Sequence, residues 1–312
     1  MTLPGGGGEV ERAAGVLRAG DLVLMPTETV YGLAADAGNA RAIAAVFDAK
    51  GRPRFNPLIA HVRDFAAAEA IALLNPVARN LAKAFWPGPL TLVLPVREGG
   101  AVCDLARAGL GTVAVRVPAH PVALALLSAF DGPLCAPSAN RSGRPSPTRF
   151  ADAVEETGFA AGAALDGGPC AVGLESTVIS VLGPVARLLR PGGLERVAIE
   201  AITGPLLDSR DDAGRSPGRL ALHYAPSAPV RLNAQAPKEG EAYLAFGPAP
   251  TGPLTFNLSP TCNMAEAAAN LFAHLRTADR LAPVAIAVAP IPETGLGEAI
   301  NDRLRRAAGF VG

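Results

Sequence analysis

Apolar residues recur along residues 9–200 at spacings typical of helices in some stretches and of short strands in others. The helical spacing predicts helices over residues 9–19, 39–49, 64–72, 76–85, 121–130 and 148–156. Apolar, β-rich runs bounded by proline or glycine predict strands over residues 22–25, 58–62, 91–96, 112–117, 134–136, 176–182 and 186–189. Because some connections are tight turns and others are helical, these elements predict an α/β fold with a mixed sheet.

The composition changes after this region, since proline and polar residues dominate residues 203–228. We interpret that stretch as a linker between two domains. Beyond it, the pattern predicts strands over 230–232, 243–246, 254–257 and 284–291, and helices over 263–279 and 297–308. This order predicts a small three-layer, Rossmann-like α/β unit. We therefore expect an N-terminal domain over residues 9–202, the linker, and a smaller C-terminal domain over residues 229–312.

The overall composition favours a buried core and gives little support for a charged partner. Apolar residues make up 49% of the 312 residues, which argues against disorder. The 28 lysines and arginines balance the 28 aspartates and glutamates, so net charge predicts neither a nucleic-acid nor a membrane partner. The sequence has no signal peptide and no apolar run of the ~18 residues that a membrane span needs. We therefore expect a cytoplasmic protein.

Several common catalytic motifs are missing from the sequence. No glycine precedes a lysine, which excludes a P-loop, and Ser138 lies in a Pro-Ser-Ala-Asn segment instead of a nucleophile elbow. The four histidines and four cysteines show no metal-ligand spacing, so we expect reduced thiols and no protein ligands to a metal. The glycine pair Gly109 and Gly111 leads into a β-rich run, which indicates a strand-entry turn.

A rigid basic segment, residues 50–58, stands out among the candidate sites. Lys50, Arg52 and Arg54 fall close together, and one glycine and two prolines restrict the backbone around them. Cations on a pre-shaped loop suit an anion such as a polyphosphate, because little conformational entropy remains to be lost on binding. The alternative interpretation is a solvated basic turn.

Two further polar segments follow strands, where ligands gather in α/β folds. Residues 26–32 carry two hydroxyls, a carboxylate and a phenol, and the alternative here is an edge strand with solvated threonines. Residues 136–148 run from a strand into a helix, so their hydroxyls and free backbone amides suit phosphate or ribose. The alternative for this segment is an ordinary loop with a helix cap at Ser146 or Thr148.

Arg116 is a single arginine in an apolar strand, and a buried guanidinium needs an anionic partner. That partner is either a structural aspartate or glutamate or the carboxylate of a substrate. The segments 175–179 and 189–192 offer the same two alternatives, because each combines charged or hydroxyl side chains with apolar neighbours.

Taken together, these segments carry a family resemblance. The following fragments occur in the chain in this order: PTETVYGL, KGRP, NPLI, WPGPLTLVL, VAVRVP, APSAN, ESTVI and LLRPG. Over roughly residues 9–200 they resemble the YrdC-like family of threonylcarbamoyl-AMP synthases, and the segment 216–226 with the C-terminal unit resembles the long two-domain form. The resemblance implies an open, twisted α/β sheet with a concave basic cavity.

The resemblance also implies an activity. Members of the family condense L-threonine, bicarbonate and ATP into threonylcarbamoyl-AMP and pyrophosphate, which makes them nucleotidyltransferases. A partner enzyme then transfers the threonylcarbamoyl group to the adenosine beside the anticodon of certain tRNAs. Mg²⁺ is the expected cofactor and arrives with ATP.

Residue roles follow from the matching motifs. The residues implied to bind ATP are Lys50, Arg52, Asn56, Thr112, Ser138, Ser146, Arg190 and Tyr224. Those implied to bind threonine are Thr29, His61, Arg116, Ser176 and the backbone of Ala136. Lys50 and Arg52 are the expected catalytic residues, since positioning and charge neutralisation suffice for this chemistry and no covalent enzyme intermediate is needed.

Two other functions remain open from the sequence. The basic cavity of an RNA-binding module would hold a duplex or tRNA by its shape, although zero net charge and 5% aromatic residues disfavour a single-strand stacking platform. A related carbamoyl-transfer domain has the same fold. Such domains sit in longer chains with zinc-finger-like parts, and this sequence lacks their C-x-x-C pairs.

Overall fold

The computed structural model describes residues 7–183, 185–208 and 223–309. The first helices are α1 (Gly7–Arg18), α2 (Ala40–Lys50), α3 (Phe65–Ile71), α4 (Pro76–Phe85), α5 (Pro121–Phe130), α6 (Phe150–Thr157) and α7 (Arg196–Thr203). The first strands are β1 (Leu22–Met25), β2 (Gly32–Asp36), β3 (Ile59–His61), β4 (Leu90–Pro95), β5 (Thr112–Arg116), β6 (Leu134–Cys135), β7 (Ala161–Ala164), β8 (Thr177–Ser180), β9 (Arg187–Arg190) and β10 (Leu207–Asp208). A single 3-10 turn, Gly158–Ala160, joins α6 to β7.

These strands form one ten-stranded mixed sheet in the order β10-β9-β8-β4-β5-β3-β6-β2-β1-β7. The pairs β3–β5 and β4–β8 are parallel, whereas β4–β5 and β2–β6 are antiparallel, which confirms the predicted mixed sheet. The strands predicted over residues 176–182 and 186–189 are present as the antiparallel pair β8–β9. Pro184, between these two strands, lies outside the described residues.

Local signals explain how α2 presents the basic segment. Asn39 caps the helix by accepting hydrogen bonds from the backbone amides of Arg41 and Ala42. Gly51 ends the helix in the left-handed region with φ of 59°, a conformation that costs glycine little. The chain therefore leaves α2 directly after Lys50, and Arg52 begins the loop that leads into β3.

The second sheet contains β11 (Val230–Arg231), β12 (Ala242–Ala245), β13 (Thr255–Asn257) and β14 (Ile286–Val288), and its helices are α8 (Met264–Arg280) and α9 (Gly297–Ala307). Its strands are all parallel in the order β11-β14-β12-β13, which confirms the predicted α/β class. Both helices share an apolar cluster with Leu244 and Ile286, whereas Tyr243 and Ala287 on the opposite face pack against loop residues. The expectation of three layers is therefore wrong for the described residues, because both described helices cover the same face.

The two sheets are joined by close packing. Val30 and Leu174 belong to the apolar cluster of the second sheet and its helices. Gly173 has a φ of 73°, and a Cβ there would lie 2.4 Å from the Cα atom of Ala269 in α8. Only a glycine allows the backbones to approach this closely.

Some elements lie where the sequence predicted none, namely β2, β7, α7 and β10. The last of these pairs with β9, and α7 ends at Thr203, so the first sheet and its helices extend into the segment interpreted as a linker. Residues 209–222 lie outside the described residues, including the Ser-Pro-Gly part of the segment 216–226. None of the described helices is long and apolar enough to cross a lipid bilayer.

Candidate active site

A cavity opens at the junction of the two sheets, lined by residues from loops that follow several strands. Among the residues that the sequence singled out, its lining contains Thr29, Arg52, His61, Arg116, Ala136, Ser138, Ser176, Arg190 and Tyr224. Val30, Pro57, Leu58, Ile59, Pro137, Glu175 and His223 complete it. Residues far apart in the chain therefore meet at one place, with arginines on more than one wall.

Arg116 forms one charged wall of the cavity at the end of β5. Its Nη2 atom donates to Oε1 of Glu28 at 2.5 Å and its Nη1 atom donates to Oγ1 of Thr29 at 2.8 Å. The Arg116 and Glu28 side chains are 4% and 11% exposed, so the ion pair is buried. The sequence left the partner of Arg116 open, and the structure places a protein carboxylate there.

His61 lies next to Arg116 in the sheet, because β3 and β5 are parallel neighbours with these two residues in register. Burial and the Arg116 charge lower the pKa of His61 to about 3, so its imidazole is neutral at physiological pH. Ser176 stands close by and its hydroxyl shares a 2.7 Å hydrogen bond with Thr91. This side of the cavity therefore offers one guanidinium, one neutral imidazole and several hydroxyls.

Arg52 and Arg190 form a second cationic wall. Burial lowers the pKa of Arg52 to about 10, which leaves it charged at neutral pH. Its Nη2 atom donates to the Pro57 carbonyl at 3.3 Å, but its buried Nε atom has no hydrogen-bond partner among the described residues. Arg190 donates to the Ser176 carbonyl at 2.8 Å. A buried guanidinium with an unmet donor is the feature that an anionic ligand satisfies.

Lys50 lies beneath this wall and does not belong to the cavity lining in the part of the chain that the structure describes. Its Nζ atom donates to the backbone carbonyls of Ser138 and Asn140. Burial and repulsion by Arg52 lower the pKa of Lys50 well below its usual range. In this arrangement Lys50 ties the end of α2 to the loop that carries Ser138.

Comparison with known proteins identifies the family. A model described as telomere recombination matches residues 15–192, and one described as threonylcarbamoyl-AMP synthase, C-terminal domain, matches residues 193–309. The threonylcarbamoyl-AMP synthase of Bacillus subtilis is 38% identical, over 96% of this chain and 93% of that protein. The protein of that name from Pyrococcus abyssi is 41% identical, over 97% and 94%. The chain belongs to the threonylcarbamoyl-AMP synthase family.

A solved structure within the threonylcarbamoyl-AMP synthase family has the same two-part architecture. The crystal structure of Pyrococcus abyssi Sua5 complexed with L-threonine matches with a TM-score of 0.90 and 39% sequence identity. The match covers 97% of this chain and 95% of that chain, so both sheets and the cavity between them are included.

Three further residues that the family resemblance singled out lie outside the lining, in the part of the chain that the structure describes. Asn56 is buried in the loop after Arg52, where its backbone N–H donates to the Pro53 carbonyl at 3.2 Å. Thr112 begins β5, opposite Pro95. Ser146 is fully buried, and its hydroxyl donates to Oε1 of Glu175 at 2.5 Å.

Tyr224 reaches the cavity from beyond the segment 209–222. It is a non-glycine residue with φ of 61°, and its ring packs on Phe272 of α8 at 5.4 Å between centroids. His223 stacks edge-on against it at 4.0 Å, and burial lowers the pKa of His223 to about 3. Both rings therefore line the cavity as uncharged groups.

Glu175, His223 and Arg303 are the residues that sequence reasoning did not assign to the site. Glu175 had a signal, because it directly precedes Ser176 in a candidate segment. Burial alone would raise the pKa of Glu175, but the charges of Arg303 and Arg190 outweigh it and lower the pKa to about 2. No sequence signal marked Arg303, because the charged sequence of α9 is typical of a solvated helix.

Proposed function

We propose that this chain is an L-threonylcarbamoyladenylate synthase, which converts L-threonine, bicarbonate and ATP into threonylcarbamoyl-AMP and pyrophosphate. One observation carries the proposal: relatives of that name match the chain nearly end to end, at 38% and 41% identity. The cavity agrees with it, because a threonine carboxylate and a nucleotide phosphate chain each need a cationic wall. The related Pyrococcus abyssi structure is a complex with L-threonine.

Threonine binds on the Arg116 side in this proposal. The Arg116 guanidinium binds its carboxylate from a position fixed by Glu28 and Thr29. The neutral His61 imidazole and the Ser176 hydroxyl are suited to hydrogen bonds with uncharged polar groups, and the Ala136 backbone closes the subsite.

ATP binds on the opposite wall. Arg52 supplies a buried, unsatisfied Nε donor to the phosphates, and Arg190 and Ser138 face the same space. Tyr224 covers the nucleotide from the second sheet's side. We propose supporting contacts from the other ATP-binding residues expected from the sequence, Lys50, Asn56, Thr112 and Ser146, which do not belong to the lining.

The reaction follows from simple group chemistry. The threonine amine and bicarbonate give N-carboxy-threonine with loss of water. A carbamate oxygen attacks the α-phosphorus of ATP, the bond to the bridging oxygen breaks, and pyrophosphate leaves with the electron pair. The protein holds the two reactants in line and neutralises the charge that develops on the phosphates with Arg52 and the lysine-anchored loop.

The described side chains do not themselves build a metal site. No cluster of three or more metal-binding side chains occurs among the described residues. Both oxygens of Glu175 accept hydrogen bonds, from Ser146 and Arg303, and both oxygens of Glu28 accept from Arg116 and the Ala119 amide. We propose that Mg²⁺ is held by the ATP phosphates and not by protein carboxylates.

The product implies a wider context. Threonylcarbamoyl-AMP is a reactive mixed anhydride, so we propose that a tRNA-modifying transferase consumes it at the adenosine beside the anticodon, and that the chain works in the cytoplasm. Weak contact with tRNA remains part of the proposal. Such contact predicts that the affinity of the chain for tRNA falls steeply as the salt concentration rises.

The decisive experiment measures pyrophosphate release from ATP while threonine and bicarbonate are omitted in turn. The proposal requires that either omission abolish turnover, and that mass spectrometry find threonylcarbamoyl-AMP only in the complete mixture. Salt-sensitive tRNA binding without threonine-dependent ATP turnover would instead favour an RNA-binding module. Turnover with carbamoyl phosphate in place of threonine would favour a carbamoyl-transfer domain.

A further inference from the structure

Arg303 of α9 is a charged residue that is completely buried. Its side chain has 0% relative exposure and is among the largest fully buried side chains of the described residues. A buried guanidinium is costly unless it is paired and hydrogen-bonded. The partners that Arg303 uses for this purpose therefore show what it is placed to do.

Most of those partners belong to the cavity wall or lie next to it. The Nε atom of Arg303 donates to Oε2 of Glu175 at 2.8 Å. Its Nη2 atom donates to the carbonyl of Pro191 at 2.9 Å, one residue after Arg190. Its guanidinium carbon lies 5.1 Å from the centre of the Tyr224 ring, within cation–π range.

Glu175 connects Arg303 to the cationic wall formed by Arg52 and Arg190, which we call the nucleotide wall. Its other oxygen accepts from the Ser146 hydroxyl at 2.5 Å, and it lies close enough to Arg190 for the two charges to interact. Glu175 is 7% exposed, so its charge needs a partner within the protein. If Arg303 were absent, the carboxylate would draw Arg190 toward itself and away from the Ser176 carbonyl, which accepts from Arg190 at 2.8 Å.

We propose that Arg303 is a positioning residue for the ATP side of the cavity, supplied by the second domain. It neutralises Glu175, and so keeps Ser146 and Arg190 in place, and it supports Tyr224 from behind. This inference rests on the proposed synthase function and assigns the C-terminal domain a part in it. The domain completes the nucleotide wall and does more than cover it.

Other contacts between the two parts of the chain provide a comparison. On the same helix, Glu298 accepts from Arg196 of α7, with Nη2 and Oε1 2.6 Å apart. This pair is partly exposed, at 26% and 30%, and neither residue lines the cavity. Glu298→Gln therefore weakens domain docking without changing the nucleotide wall, which makes it the matched control for Arg303.

The test compares steady-state pyrophosphate release by the wild-type chain, Arg303→Met, Arg303→Lys and Glu298→Gln, with the KM for ATP and for threonine measured separately. Arg303→Met should raise the KM for ATP at least tenfold and change that for threonine less than threefold. Arg303→Lys should lie between this variant and the wild type, because an ammonium can pair with Glu175 but cannot form the same fork. Glu298→Gln should match the wild type.

Three results would each overturn the inference. In Arg303→Met, the two KM values could change equally, or the KM for ATP of the folded variant could match the wild type. Alternatively, Glu298→Gln could raise the KM for ATP as much as Arg303→Met does. If Arg303→Met does not fold, Arg303→Lys decides: a KM for ATP within twofold of the wild type overturns it. Wild-type protein without threonine-dependent turnover would refute the synthase function itself, so the two failures are distinguishable.

Discussion

Replacing Glu28 with alanine tests the buried ion pair on which the threonine side depends. The change leaves the Arg116 guanidinium, 4% exposed, without its carboxylate partner. At the 2.5 Å separation and an effective dielectric constant of ~20, the attraction amounts to about 7 kcal/mol. Several kcal/mol of desolvation offset that gain, so breaking the pair should lower the free energy of unfolding by about 3–5 kcal/mol.

Urea denaturation can measure this loss through the fluorescence of Trp86, the only tryptophan of the chain. Glu9→Ala is the control, because Glu9 and Arg12 form an exposed pair 3.8 Å apart on α1. That variant should change the free energy of unfolding by less than ~0.5 kcal/mol. Threonine should stabilise Glu28→Ala more than the wild type, since its carboxylate replaces the missing partner of Arg116.

Two results would refute this reasoning. A Glu28→Ala variant within about 1 kcal/mol of wild-type stability would mean that Thr29 and nearby carbonyls satisfy Arg116 on their own. Equal stabilisation of both proteins by threonine would place the threonine carboxylate elsewhere in the cavity.

Three further predictions concern the cationic wall and the buried histidine. Arg52→Ala should lower kcat/KM for ATP more than a hundredfold, which corresponds to a loss of ~3 kcal/mol of transition-state stabilisation. Arg54→Ala, on the exposed side of the same loop, should leave kcat/KM unchanged. Near-normal pyrophosphate release by Arg52→Ala would contradict the ATP assignment. Lys50→Met should raise the KM for ATP at least tenfold because the loop loses its anchor, and Lys83→Met on the surface of α4 is the control. Equal KM values for ATP in Lys50→Met and Lys83→Met would show that the anchor is dispensable. His61 has a folded-state pKa of about 3 against ~6.5 in the unfolded chain, so it adds stability that is present above pH ~6.5 and lost toward pH 3. His61→Gln should therefore flatten the fall in unfolding free energy between pH 6 and 4 by about 1.4 kcal/mol per pH unit in urea titrations, and an unchanged slope would mean that His61 titrates normally.

The elements that could be predicted are those whose ends carry local signals. The helix α2 is an example, because Asn39 caps its start and Gly51 ends it through a left-handed conformation. The strands β4 and β5 are mostly apolar, β-rich runs bounded by proline and glycine. In such stretches local propensity and the tertiary fold favour the same structure.

The elements that were missed depend on their neighbours. The strand β2 reads Gly-Leu-Ala-Ala-Asp and β7 reads Ala-Gly-Ala-Ala, without the β-branched residues that identify a strand. Pairing with β1 makes both of them strands. The helix α7 contains Val197, Ile199, Ile202 and Thr203, which lower its helix propensity, and it packs against α4.

The cavity residues also divide into those that the sequence indicated and those that it did not. Thr29 and Ser138 lie in two segments that the sequence singled out because each follows a strand, where ligands gather in α/β folds. No local pattern indicated that the Lys50 side chain lies under the loop, where its Nζ atom donates to the Ser138 and Asn140 carbonyls. Arg303 could not be found, since its burial depends on how α9 docks against a sheet formed more than a hundred residues earlier.

Gly173 has a consequence for how the two halves of the protein can move. Its backbone meets the backbone of α8 so closely that a single added methyl group would overlap the helix. Main-chain atoms cannot give way as side chains do, so a sliding motion of one half across the other would cause a collision at this point. Sideways displacement of the two halves is therefore limited where the backbone of Gly173 meets α8.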